Sequence, residues 1–162
     1  MATQVTPPPD PRSKDTLRLW LRLLGCANMI EREVRARLRR EFDVTLPRFD
    51  LMAALHRHPD GLSMSQLSAH LMVSNGNVTG VVERLSREGM VTRQLQPGDR
   101  RSYRITLTDQ GLANFNRMAA AHERWIAGLM AGLSDDEVAA LTEMLGHTRT
   151  TLDARLTEEP SP

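Results

Sequence analysis

Two short helical patterns followed by two strand-like runs around an arginine-bearing turn, all between Ser63 and Thr108, predict a winged helix-turn-helix. Long amphipathic patterns flank that segment on both sides. The fold class expected is therefore mainly α with a small β-hairpin wing and an all-helical dimerisation region. A hydrophobic content of 40% in 162 residues supports a real core. The expected divisions are a flexible segment at 1–13, a dimerisation helix region at 14–46, the winged unit at 47–107, C-terminal dimerisation helices at 108–156 and a flexible tail at 157–162.

The segment MATQVTPPPDPRS carries four prolines and no apolar periodicity, so it is read as flexible. From Lys14 to about Phe42, Leu17, Trp20, Leu21, Leu24, Ala27, Val34 and Leu38 recur at spacings of three and four, and Leu19, Leu23, Cys26 and Ile30 form a second apolar row. A helix apolar on two sides suits burial between its own domain and a partner subunit. Its end, REVRARLRRE, is strongly basic, and arginines there complement the helix dipole.

Pro47 opens the next helix, with Phe49, Met52 and Leu55 as its stripe, and His58-Pro59-Asp60-Gly61 ends it. Ser63 with Gln66 makes a capping box for the first helix of the pair, and Leu67 and Leu71 face inward. After the turn at Met72-Val73, Ser74 is a favourable N-cap, and Val78, Val81, Val82 and Leu85 mark the inner face of the second helix, which Glu88-Gly89 closes. Asn75, Gly76, Asn77 and Thr79 occupy the outer face near its start, where a recognition helix meets base edges.

Met90–Leu95 and Ser102–Leu107 read as strands around Gln96-Pro97-Gly98-Asp99-Arg100-Arg101, and Pro97-Gly98 signals the turn. Arginines at such a tip suit the narrow minor groove, and Asp99 can pair with Arg101 to direct it. Thr108 caps a long helix through about Leu133. Ser134-Asp135-Asp136-Glu137 then launches a last helix striped with Val138, Leu141, Leu145, Thr148 and Leu152.

The net charge of +1 conceals an asymmetry. Residues 1–62 sum to +3, residues 63–108 to +3 and residues 109–162 to −5, which suits a protein presenting one face to a polyanion such as double-stranded DNA. No apolar run reaches about 18 residues, and the start lacks a secretory pattern. A cytoplasmic chain that does not engage a membrane is expected. Cys26 alone excludes a disulfide framework and is read as a small buried apolar group. His56-Arg57-His58 lacks further ligands at metal spacing, so neither a metal nor a cofactor is expected. The chain shows no nucleophile motif and no Gly-rich phosphate loop, which argues against an enzyme. A winged module for protein contacts alone would lack the polar helix face and the basic wing.

The residues ERLSREGMVTRQLQPGDRRSYRITLTDQG join a helix end, Gly89, a strand, the Asp99-x-Arg101 wing and an LT-x-x-G helix start. That signature resembles the MarR family of bacterial transcription regulators, over about residues 14–156. The resemblance implies a homodimer whose first and last helices build a triangular dimerisation region, with two winged units straddling a pseudo-palindromic operator. By position, Ser74, Asn75, Asn77, Val78 and Thr79 would face the major groove, and Arg84 and Arg87 would serve the phosphate backbone or the domain's own packing. Arg101 would enter the minor groove held by Asp99, while Arg100 and Arg104 would add backbone contacts.

LWLRLLGCANMIEREVRARLRREFDVTLPRFDLMAAL and LMVSNGNVTGVVERL are further similar to the branch controlling breakdown of hydroxycinnamates and other aromatic acids, where the implied effector is an aromatic acyl-coenzyme A thioester. The implied ligand cleft would draw on Trp20, Leu23, Cys26 and Ile30, on Phe49, Met52 and His56, and on Met118 or His122. Arg22, Arg40, Arg48 or Arg57 would stand near its phosphates. A free phenolic acid, or oxidation at Cys26, are the alternative signals.

Overall fold

The computed structural model describes residues 11–71, 75–96 and 99–158, and the side chains of 12–71, 78–94 and 103–157. The chain divides into two compact units, Met1–Arg124 and Trp125–Pro162.

Helix α1 runs from Pro11 to Phe42. It starts three residues earlier than expected, so 11–13 are helical, with Thr16 Oγ1 donating to the carbonyls of Arg12 at 2.6 Å and Ser13 at 3.2 Å. Its second half packs into the first unit through Val34 and Leu38, both buried. Its first half is bare: Leu17, Leu19, Trp20, Leu21 and Leu24 are each about half exposed. Cys26 is exposed as well, contrary to the buried position expected, because it lies on this uncovered half.

Helix α2, Leu46–Arg57, follows an extended Thr45 and carries Pro47 in its first turn, where the missing N–H costs nothing. Leu51 and Ala54 are buried along with the expected Phe49, Met52 and Leu55, so α2 is apolar almost all round and forms the centre of the unit. Helix α3, Met64–Leu71, begins at the predicted capping box. The Ser63 N–H donates to Gln66 Oε1 at 2.9 Å, and the Gln66 N–H donates to Ser63 Oγ at 3.2 Å. Leu67 is fully buried. The expected turn at Met72-Val73 and the N-cap Ser74 lie outside the described residues.

Helix α4, Asn75–Arg87, buries Val78, Val82 and Leu85 completely. Strands β1, Val91–Gln96, and β2, Asp99–Leu107, form an antiparallel hairpin. Pairing is regular from Val91↔Leu107 to Leu95↔Tyr103, then shifts so that Gln96 stands opposite Asp99. The strands thus reach further than expected: Asp99, Arg100 and Arg101 belong to β2, and residues 100–102 are the extra residues of that shift. An insertion of this kind bends a strand and increases its twist. A backbone bridge extends the hairpin sideways, with the Leu62 N–H on the Ile105 carbonyl at 3.1 Å and the reverse bond at 2.9 Å.

Thr108 ties the hairpin to helix α5, Asp109–Leu129. Its hydroxyl donates to the Gly89 carbonyl at 2.6 Å and accepts from the Gly111 N–H at 3.0 Å, while its own N–H donates to the Met90 carbonyl at 3.1 Å. Within the first unit, Phe115, Met118 and Ala121 of α5 are buried. The helix stops at Leu129, four residues short of the expected Leu133.

In the second unit, α6 runs from Asp135 to Glu158 and so includes the first residues expected in a flexible tail. Its capping box is present, with the Ser134 N–H on Glu137 Oε2 at 2.8 Å and the Glu137 N–H on Ser134 Oγ at 3.3 Å. Those bonds hold the Glu137 carboxyl below its ordinary value. Of the predicted stripe, Val138, Leu141, Leu145 and Leu152 are exposed in the single chain and Thr148 is half-buried. Among the described residues no helix is long and apolar enough to cross a membrane.

Candidate nucleic-acid interface and effector cavity

The winged unit turns one side of α4 outward. With Val78, Val82 and Leu85 on the core side, Thr79, Glu83 and Arg87 recur at intervals of four on an exposed flank, and Arg84 is exposed beside them. Val78 is fully buried, so it is a core residue and not a groove contact; the pattern of Val78, Val82 and Leu85 already places it on the inner face. Asn75 and Asn77 lie in the first turn of α4, and their side chains fall outside the described ones, as do those of Asp99, Arg100 and Arg101. Ser74 lies outside the described residues altogether.

Arg104 does not extend from the hairpin in the way expected of a backbone-contacting residue. It is half-buried, and its Nη1 donates to the Gly61 carbonyl at 3.0 Å and the Asp60 carbonyl at 3.4 Å. Charge-assisted bonds of this kind hold the hairpin against the connection between α2 and α3.

A separate cavity of about 550 Å³ opens between α2, α3 and α5 within the first unit. Phe49 and Phe115 form its apolar wall, with ring centroids 5.6 Å apart. His122 lies 5.1 Å from the Phe49 ring and His56 lies 4.8 Å from the Phe115 ring. Arg57 and His70 stand at the exposed margin, and Asp50 is a half-buried acid in the wall. Burial pushes the His122 imidazole below its ordinary value. Burial likewise raises the Asp50 carboxyl, with Glu31 adding to the effect and Arg35 and Arg57 opposing it.

Of the residues expected to form a ligand cleft, this cavity gathers Phe49, His56, Arg57 and His122. Trp20 and Arg22 are exposed and Leu23 is half-exposed on the uncovered half of α1, and none of them lines it. Met52 and Met118 are core residues. Arg48 is drawn to the other side of α2, where its guanidinium pairs with Glu88 beyond α4. Arg40 and Arg48 line a second concavity with Asn114 and Arg117. Sequence reasoning missed Asp50, His70 and Phe115. The period of α2 places Asp50 and Ala53 beside Phe49 and His56, which is the available signal. Among the described residues no three His, Cys, Asp or Glu side chains converge as a metal site.

The elevated Asp50 value carries a pH prediction. Because the folded state favours the protonated carboxyl, its contribution to stability is present below the ordinary value of 3.8 and is lost as pH rises through the raised folded value. Asp50→Asn should therefore be more stable than the parent at neutral pH, with the difference closing at acid pH. Urea melts at the two conditions measure this, and a less stable variant at neutral pH would contradict it.

A MarR family model matches residues 42–102, from the end of α1 into the first residues of β2. The crystal structure of a MarR family transcriptional regulator from Silicibacter pomeroyi is 35% identical, with a TM-score of 0.73 over 89% of this chain and 99% of that one. The transcriptional regulator PecS of Dickeya dadantii is 33% identical over 108 residues, 65% of each chain. The transcriptional activatory protein BadR of Rhodopseudomonas palustris is 35% identical over 96 residues, 58% of this chain and 54% of BadR. The chain thus spans less than two thirds of these two curated relatives. Similarity across nearly the full length of a solved regulator, joined to the winged architecture, settles the family: the chain belongs to the MarR family of transcriptional regulators.

Proposed function

We propose that the chain is a homodimeric, ligand-responsive transcriptional regulator that binds a pseudo-palindromic DNA operator. The observation that carries this is the winged unit itself: a capped α3, an α4 with one buried and one solvated side, and a hairpin bridged to Leu62. In this reading the start of α4, with Ser74, Asn75, Asn77 and Thr79, enters the major groove. Arg101, directed by Asp99, enters the minor groove, and Arg84, Arg87 and Arg100 meet phosphates. The half-exposed leucines and Trp20 of α1, and the leucines exposed on α6, support a dimer, because surfaces of that apolar character are normally covered.

The effector is an aromatic acid or its acyl-coenzyme A thioester, received by the cavity between α2, α3 and α5. The phenylalanine wall suits a ring and Arg57 suits a carboxylate or phosphate. Regulation is repression of aromatic-compound catabolism, relieved when the effector favours a helix spacing that no longer matches adjacent major grooves. A preference of about 1.4 kcal/mol already shifts affinity tenfold.

A mobility-shift titration on the DNA upstream of the chain's own gene tests the reading. Specific binding is expected, with release by aromatic acyl-coenzyme A compounds or by the free acids. Arg101→Ala should weaken it by about 1 to 3 kcal/mol and relax preference at A/T-rich flanks. Failure of every such compound to alter binding would remove the effector assignment, and an unchanged Arg101 variant would remove the wing.

A further inference from the structure

We propose that Arg93, with Arg87 and Ser86, forms a phosphate-binding cleft between α4 and β1 that grips the DNA backbone where it passes from the recognition helix to the wing. The inference rests on the DNA-binding reading above, which already places Arg87 against phosphate, and extends it to Arg93 and Ser86, which that reading leaves unassigned. A concavity of about 320 Å³ opens between these elements, lined by Glu83, Ser86, Arg87 and Arg93. Arg87 and Arg93 are both exposed, and Ser86 is half-buried at its floor.

Arg93 stands out by its place in the hairpin. It pairs with Ile105 and lies two residues from Val91, and both of these are buried, so Arg93 occupies the core-facing row of the strand. Although the opposing Ile105 is fully buried, Arg93 is exposed, and it lines the concavity with Glu83, Ser86 and Arg87 of α4. The same flank carries Thr79, Glu83 and Arg87 one turn apart, so the cleft is continuous with the groove-facing side of the helix.

The chemistry fits a phosphodiester. Two guanidinium groups against the single Glu83 carboxylate leave the cleft net positive, and Glu83 stands one turn from Arg87, where it can direct that side chain. Guanidinium forks match phosphate oxygens, and a serine hydroxyl is a common additional donor. A duplex that places its major groove on α4 and its minor groove on the wing must carry a strand of phosphates across the space between them.

The test compares the parent dimer with Arg93→Ala and Arg93→Lys across a salt series, on the upstream duplex and on a random-sequence duplex. Arg93→Ala should weaken both duplexes to a similar degree. It should make the dependence of log affinity on log salt shallower by about 0.9 for each phosphate no longer neutralised, roughly 1.8 for a dimer. Arg93→Lys should retain the parent slope, and neither variant should melt differently, because the side chain is exposed. An unchanged slope in Arg93→Ala, or weakening confined to the upstream duplex, would overturn the cleft while leaving DNA binding intact. A parent protein that binds neither duplex would overturn both.

Discussion

Gly111→Ala is expected to destabilise the protein by about 3 kcal/mol, at the upper end of what overpacking commonly costs. A Cβ at position 111 would stand 1.9 Å from the Met90 carbonyl oxygen and 2.9 Å from its carbon. Both atoms are backbone, so no side-chain rotation relieves the clash. The same carbonyl accepts the Thr108 N–H, and the Thr108 hydroxyl bridges Gly89 and Gly111. To admit the methyl group, the first turn of α5 must move away from β1, and that movement breaks the three bonds that fasten the hairpin to the helix. Thermal unfolding should show a midpoint lower by roughly 6 to 12 °C. A variant within about 0.5 kcal/mol of the parent, the range of an ordinary surface substitution, would show that the backbone yields cheaply.

Gly61→Ala is expected to cost a comparable amount, near ~3 kcal/mol, from two sources. Gly61 has φ 84, where a side chain is strained by about 1 to 2 kcal/mol. Its Cβ would also lie 2.8 Å from the Ile105 carbonyl oxygen and 2.7 Å from Thr106 Cγ2. The damage falls on the Leu62–Ile105 bridge and on the Arg104 bonds to the Asp60 and Gly61 carbonyls, which together hold the hairpin against the helix-turn-helix. DNA affinity should therefore fall along with stability. Adding Thr106→Ser removes the Cγ2 clash but leaves the strained φ and the carbonyl, so only part of the stability should return. Full recovery in the double variant would place the whole effect on one methyl group and refute the backbone argument.

Much of the architecture is legible because it is written at short range. The capping boxes at Ser63 and Ser134 involve partners three residues apart, and both stand within hydrogen-bonding distance as expected. The periodic valines of α4 and the Pro47 start of α2 are local in the same way. Errors gather at ends and in positions carried over by resemblance. The prolines before Ser13 conceal a helix that begins at Pro11, and the Pro97-Gly98 signal suggests too broad a turn, since Asp99, Arg100 and Arg101 lie in β2. The resemblance gives Val78 a groove role against its own periodicity, and the periodicity prevails.

By itself, then, the sequence determined the order of elements, their apolar faces, the winged unit and the family, since each depends on spacings of a few residues or on a contiguous signature. Only the tertiary structure decided that Arg104 fastens the hairpin, that Arg48 pairs with Glu88, and that Phe49, Asp50, His56, His70, Phe115 and His122 surround one cavity. Those residues come from α2, α3 and α5, and their meeting depends on how the helices pack, which no spacing along one helix encodes. The same reason explains Trp20 and Cys26: periodicity shows that their half of α1 is apolar, while the folded chain leaves that half uncovered.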